Sequence, residues 1–307
     1  MSFLPIRSST LRPGVSLLFD LYVHYKESYL KYRSSSEILE PELLSRLRDK
    51  KVKKVFIPTA QESEYLRYLD QALEQLQSAN APVAERAELA QGTLRQEAES
   101  ISRTLESEAA FRDSKGRLHK VAEFLVAEPK ALADMLRNSG LSVDESSHGS
   151  TVSSLCLALG AQYEPLPREA LTDLAIAALL HDTSLRELGF DLKSDLTNIE
   201  KERRVAFRQH PTRTVSLVAG KKLITPRALR IIEDHEEFGE GMGFPEKKWM
   251  NKLSADSKVF NLCDAFDHFC VIKALTPSEA IGPFKEARAN HFDSQLVERL
   301  EALVKVA

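Results

Sequence analysis

The chain has 307 residues, 43% hydrophobic and 28% charged, with 42 basic and 45 acidic side chains and a formal net charge of -3. That length and balance exclude a disordered tail or a peptide-sized scaffold and predict about two domains. The absence of a broad basic surplus argues against binding to a DNA or RNA polymer. Cys156, Cys263 and Cys270 cannot all pair within one chain and form no Cys-x-x-Cys clip, which excludes a disulfide scaffold. The start, Met1-Ser2-Phe3-Leu4-Pro5-Ile6-Arg7, lacks the apolar centre of a signal peptide. No run approaches the roughly 20 apolar residues of a membrane span, so a cytoplasmic protein without membrane contact is expected.

Val15 to Tyr25 is apolar and aromatic with a strand-like texture. Pro41 to Leu47 reads as a helix with proline in its first turn, and Lys51 to Pro58 as a short strand stopped by proline. Together they predict a small α/β module, which carries no recognisable chemical constellation. From Gln61 to Arg112 the composition is that of a helical connector, broken at Ser78 to Pro82. Beyond Ser114 nearly every segment reads as helix. Thr225-Pro226 and Thr276-Pro277 each place a capping hydroxyl before a proline at the first helical position. Leu171 to Leu180 is apolar almost all the way round, as in a helix inside a bundle. The chain is therefore read as mainly α: a small α/β accessory domain with its connector over residues 1–80, and a helical bundle over 81–307.

Four histidines, His148, His181, His210 and His235, fall one to a helix or helix end, 33, 29 and 25 residues apart. His181 is followed by Asp182 directly after a buried-type apolar run, and Asp264 interrupts the apolar helix Lys258 to Phe266. Burying such groups without partners is costly. Imidazoles and carboxylates converging inside a bundle make a site for one or two transition metals such as Fe, Mn or Zn, whereas any one of these histidines alone reads equally well as a core residue bonded to a carbonyl. His24, His119, His268 and His291 lack such a setting and read as structural or surface residues. Asp144 stands one turn before His148 and reads as a solvated residue at a helix start.

The order His148, His181-Asp182, His210-Pro211, His235-Glu236-Glu237, Gly241-Met242-Gly243-Phe244-Pro245 and Asp264 resembles the HD-GYP family of cyclic di-GMP phosphodiesterases, a branch of the HD metal-dependent phosphohydrolases. The likeness covers roughly residues 140–280 and implies an HD-type helical bundle. It implies that His148, His181, Asp182, His210, His235 and Asp264 hold two or three divalent ions, Fe or Mn, with Asp182 bridging two of them and Glu236 an added candidate ligand. The bridged pair would activate water for attack on the phosphodiester of cyclic di-GMP, giving linear pGpG or GMP. Gly241, Gly243, Phe244 and Pro245 would shape the substrate side and, with the N-terminal domain, offer a surface to a signalling protein.

Four departures bear on turnover. Phe244 stands where the family has tyrosine, and His235-Glu236 where it has two histidines. Thr183-Ser184-Leu185 replaces a segment with glycine and a phosphate-side lysine. The segment after Asp264 lacks the family's Arg-Pro-Tyr, leaving Lys273 as a partial replacement or a surface lysine. Arg203, Arg204 and Arg208 read as an ordinary solvated helix face. Two functions follow: a divergent cyclic di-GMP phosphodiesterase, or a catalytically weak metal-containing dinucleotide sensor or scaffold. A general HD nucleotidase leaves the glycine loop unexplained.

Overall fold

The computed structural model describes residues 2–77, 81–139, 141–163, 166–191, 193–194 and 199–306. It divides into two compact units, Met1–Gln96 and Glu97–Ala307. Part of the break read at Ser78 to Pro82 lies outside the described residues.

The first unit is built on a four-stranded antiparallel sheet in the order β1 (Phe3–Arg7), β4 (Lys54–Pro58), β2 (Leu21–Tyr25), β3 (Ser28–Arg33). Strand alternation turns Ile6, Leu21, Val55 and Ile57 inward. β2 and β3 are joined by Lys26 and Glu27, both at positive φ (45° and 61°), the conformation of a two-residue hairpin turn. Val15 to Asp20 forms no strand, so the strand-like texture read over Val15 to Tyr25 is realised only at its end. α1 (Pro41–Asp49) carries proline at its start, as its sequence predicts. α2 (Glu62–Leu73) is no loose connector. Its Tyr65 and Tyr68 are fully buried, edge-on to Phe19 at 5.5 and 5.4 Å. The Tyr68 hydroxyl accepts the Arg12 amide proton at 2.8 Å. α3 (Val83–Thr104) contains the boundary between the units.

The second unit is helical: α4 (Glu108–Ala127), α5 (Ala131–Ser139), α6 (Glu145–Tyr163), α7 (Arg168–Leu180), α8 (Thr183–Glu187), α9 (Lys201–Arg208), α10 (His210–Val218), α11 (Pro226–Asp234), α12 (Ala255–Lys273), α13 (Pro277–Arg288) and α14 (Ser294–Val306). The start signals act as read. Thr225 Oγ1 accepts the Ala228 amide at 3.1 Å, and Thr276 with Glu279 closes a capping box. α7 is the inner helix that its apolar run predicts, packed against α4, α6, α11 and α12. Small residues let α6 approach it closely. A Cβ on Gly149 would stand 2.8 Å from the Ala178 carbonyl, and one on Gly160 within 3.3 Å of Leu171 and Leu174. Gly149 thus permits the helix contact that brings His148 beside His181, their rings 5.2 Å apart.

Candidate metal centre

His148 lies in α6, His181 follows α7, His210 opens α10 and His235 follows α11, while Asp264 stands in the middle of α12. All four imidazoles are buried. What orients them is the hydrogen bond made by each Nδ1. The acceptor is the carbonyl three residues back for His181 (Ala178, 3.0 Å), His210 (Phe207, 2.7 Å) and His235 (Ile232, 2.7 Å). For His148 it is the Asp267 carboxylate at 2.7 Å. A carbonyl only accepts, so Nδ1 carries the proton in those three rings and each Nε2 turns a lone pair into the site, the tautomer a metal requires.

The carboxylates lie between these nitrogens. Asp264 Oδ1 is 2.9 Å from His148 Nε2 and 3.4 Å from His181 Nε2. Asp182 faces two ways: Oδ2 is 3.2 Å from His181 Nε2, and Oδ1 is 3.4 and 3.7 Å from the Nε2 atoms of His210 and His235. Among the described residues three donor sets each lie within 4.8 Å: His148, His181 and Asp264; His181, Asp182 and His235; His210, His235 and Glu236. Shared members make them adjacent rather than separate sites.

Two observations test whether this set suits a cation. His181 Nε2 is a buried nitrogen with no hydrogen-bond partner. His210 Nε2 and His235 Nε2 face each other at 2.7 Å, a distance at which two lone pairs repel unless a proton or metal lies between them. The donors, imidazole nitrogen and carboxylate oxygen, are those of Fe, Mn or Zn, and the residues fit such an ion.

In the metal-free chain the buried carboxylates favour protons on the imidazoles where an ion would otherwise sit. Burial opposes charge on His148, but hydrogen bonds to Asp264 and Asp267 outweigh it and lift its pKa to about 9. His181 and His210 are likewise raised against burial, chiefly by Asp182. His235 is pushed down to about 3 by burial and by the charge of His210. Asp182 and Asp264 are held low despite burial by the histidines beside them. Burial lifts Glu236 to about 7.

The glycine loop is pinned from below. Glu237 accepts the Glu246 and Lys248 amides at 2.6 and 2.8 Å, and Lys248 Nζ reaches Asp234 at 2.7 Å. Asn261 of α12 donates to the carbonyls of Asp234 and Glu237. Gly241 sits at φ 72°, and a Cβ on Gly243 would fall 2.3–2.7 Å from the backbone of Glu236 to Phe238. Phe244 turns its ring toward His210 (6.0 Å) and Phe207 (5.8 Å), with Arg208 stacked over it at 5.3 Å. At the position of the family's lysine, Leu185 is buried, and Ser184 beside it donates to the His210 carbonyl at 3.0 Å.

A cavity of about 340 Å³ adjoins the centre, its walls including His235, Glu236, Asp264, His268, Lys273 and His291. Phe244 is not among its lining residues. His268 and His291 thus line the cavity beside the centre, and the His268 ring lies 5.6 Å from that of His148, tilted by 35°. Asp144, by contrast, caps α6, accepting the Ser147 amide at 2.8 Å. Asp267 escaped sequence reading as a partner of His148. Its signal was present: it lies one turn beyond Asp264, a second carboxylate on the same face of an apolar helix.

A family model described as HD domain matches residues 121–296. The fold also matches Bd1817, a HDG"Y"P protein from Bdellovibrio bacteriovorus, with a TM-score of 0.78 and 24% identity over 99% of this chain and 100% of that one. No curated protein matches the chain. The chain belongs to the HD domain family, a family of metal-dependent phosphohydrolases. Its particular likeness is to HD-GYP proteins, in fold as well as in motif order.

Proposed function

We propose that the chain is a cyclic di-GMP phosphodiesterase that yields linear pGpG or GMP in the cytoplasm of a bacterial cell. His148, His181, Asp182, His210, His235 and Asp264 would hold two divalent ions, Fe or Mn, with Glu236 beside His210 and His235 suited to a third. The observation that carries this reading is the two-faced carboxylate of Asp182, one oxygen toward His181 and the other toward His210 and His235. Ions held there supply Lewis acidity and neutralise charge at the phosphoryl oxygens. The chain's own residues do the rest. Backbone carbonyls and Asp267 fix the imidazoles, Phe244 shields His210 from water, and the cavity beside Asp264 and His235 receives the ester.

A second reading is favoured by Leu185 and Phe244, which supply neither the cation nor the hydroxyl of the family's substrate side. The site would then keep its ions and serve as a cyclic-dinucleotide sensor or scaffold. Exposed Met242 and Trp249 on the glycine loop suit contact with a signalling protein. Cyclic di-GMP turnover by anaerobically purified protein, with metal content measured on the same sample, separates the two. Turnover with about two ions per chain, lost in Asp182→Ala, supports the enzyme. Ions and dinucleotide binding without turnover support the sensor. Phe244→Tyr is expected to keep the fold and to leave activity equal or higher.

A further inference from the structure

The balanced charge of the whole chain conceals a division. Residues 1–60 carry 11 basic and 6 acidic side chains, whereas residues 61–307 carry 31 and 39. Six of those basic residues fall between Arg46 and Lys54, with Asp49 the single carboxylate among them. Arg46, Lys50, Lys51 and Lys53 are exposed and have no carboxylate partner among the described residues, while Arg48 reaches Glu88 at 3.6 Å. The stretch leads straight into β4, where Val55 and Ile57 turn into the core and Lys54 and Phe56 turn outward. The antiparallel register sets Tyr22 between Phe56 and Lys31, and His24 opposite Tyr29, all on that outward face. The face is therefore a continuous patch of rings. Tyr29 lies 4.9 Å from His24, 5.0 Å from Phe56 and 4.1 Å from Phe3, itself 4.8 Å from Tyr22. Tyr29 is 40% exposed and His24 is exposed as well. Lys31, bonded to Asp20 at 2.8 Å, stands 5.8 Å from the centre of the Tyr22 ring. The solvated face of an antiparallel sheet is ordinarily polar, so massed rings bordered by unpaired cations call for an occupant.

We infer that this face of the N-terminal unit binds single-stranded nucleic acid, with bases stacked on Tyr29 and His24 and backbone phosphates held by the lysines that run into β4. The occupant must pair regularly spaced negative charge with flat apolar faces, and a single strand alternates phosphate and base in that way. A duplex hides its base faces. An acidic peptide meets the lysines but gives the rings nothing planar to stack on, and an anionic lipid surface draws on the same lysines without needing rings massed on the sheet. Four strands spaced about 4.8 Å apart span about 14 Å, room for two or three bases. The near-neutral total, which by itself argues against such a partner, averages this face with the acidic remainder of the chain. The inference is independent of the metal centre and of its chemistry.

The test is fluorescence anisotropy of a labelled oligouridine about 12 nucleotides long with the full-length protein, at salt from about 50 to 300 mM. Oligodeoxythymidine and a duplex of the same length, and vesicles of phosphatidylglycerol, are run beside it. Both single strands are expected to bind, and more tightly than the duplex. Replacing Lys50, Lys51 and Lys53 together by alanine changes only exposed positions and should lower the slope of log affinity against log salt by about 2, at about 0.7 for each lost phosphate contact. Tyr29→Ala should weaken binding about tenfold or more, whereas Tyr29→Phe, which keeps the ring, should bind as the wild type does. Metal content should be the same in every variant. A duplex bound as tightly as the single strands, with Tyr29→Ala indistinguishable from wild type, overturns the proposal. So does uptake by vesicles in the absence of oligonucleotide binding, and so does a wild-type protein that binds no probe at the lowest salt.

Discussion

Asp267→Ala isolates the contribution of the residue behind His148. In the native chain Asp267 accepts the Nδ1 proton of His148 at 2.7 Å, and both side chains are buried, with 5% and 1% of their surface exposed. Alanine removes the acceptor and leaves the imidazole N–H buried without a partner, a cost of about 1–3 kcal/mol. It also frees the ring to exchange tautomers and turn its protonated nitrogen toward Asp264. Loss of such an outer partner typically lowers metal affinity about 10- to 100-fold, equivalent to about 1.4–2.7 kcal/mol. Asp267→Asn keeps an acceptor oxygen but not the charge, so its affinity should fall between those of wild type and Asp267→Ala. The assay is competition for Mn against a chromophoric chelator, with elemental analysis of the recovered protein. If Asp267→Ala competes as well as wild type while His148→Ala does not, the Nδ1 partner has no part in holding the metal and the reasoning is wrong.

Gly243→Ala should lower the melting temperature by roughly 6–12 °C, because its Cβ meets backbone that cannot step aside, an overpacking cost near 3 kcal/mol. Gly116→Ala is the opposite control. Its Cβ would enter open space within α4, and a gain of about 0.5–1 kcal/mol is expected in the same thermal scan. Arg117→Met strands Glu97, to which Arg117 Nε donates at 2.6 Å with both side chains buried, and should cost about 3–5 kcal/mol by denaturant titration. Metal uptake by the stripped chain should release protons and strengthen as pH rises toward 9. The charged form of His148 is favoured by folding below its ordinary value of 6.5, and that stabilisation is lost as pH passes its raised value of about 9. Calorimetry in buffers of different ionisation enthalpy reads the released protons, and uptake that is flat between pH 6 and 9 would contradict the bonding described for His148.

The helical half of the chain was legible because its signals are local and long. The Leu171–Leu180 run, the Thr-Pro starts and the carboxylate of Asp264 inside an apolar helix each carry their own explanation. The N-terminal sheet was legible only in part. β1 is five residues with a proline in its middle, and the β2–β3 hairpin turns on Lys26-Glu27, which offers neither the glycine nor the asparagine by which such turns are recognised. α2 looked like a connector because half its residues are polar. Its two tyrosines become core only when Thr10, Arg12 and Phe19, distant in sequence, close over them. His268 was misread for a related reason: its setting is made by α6 and by the cavity, neither of which its own neighbours announce.

The histidine spacing has a physical basis that connects fold to site. The last carbonyls of a helix have no amide partner within it. Ala178 lies in the last turn of α7, Phe207 in that of α9 and Ile232 in that of α11, and each accepts an imidazole Nδ1 from the residue three places on. Helix termination thus satisfies an orphan carbonyl and fixes a tautomer in one contact. The intervals of 29 and 25 residues between these histidines are then the lengths of chain that return a helix end to one point. His148 alone lies inside a helix, where its own carbonyls are already bonded, and it alone needs a carboxylate from another helix to hold its proton. Replacing Asp267 therefore acts on the one imidazole that the backbone does not orient, whereas the other three should keep their tautomer under any side-chain substitution that leaves their helices intact.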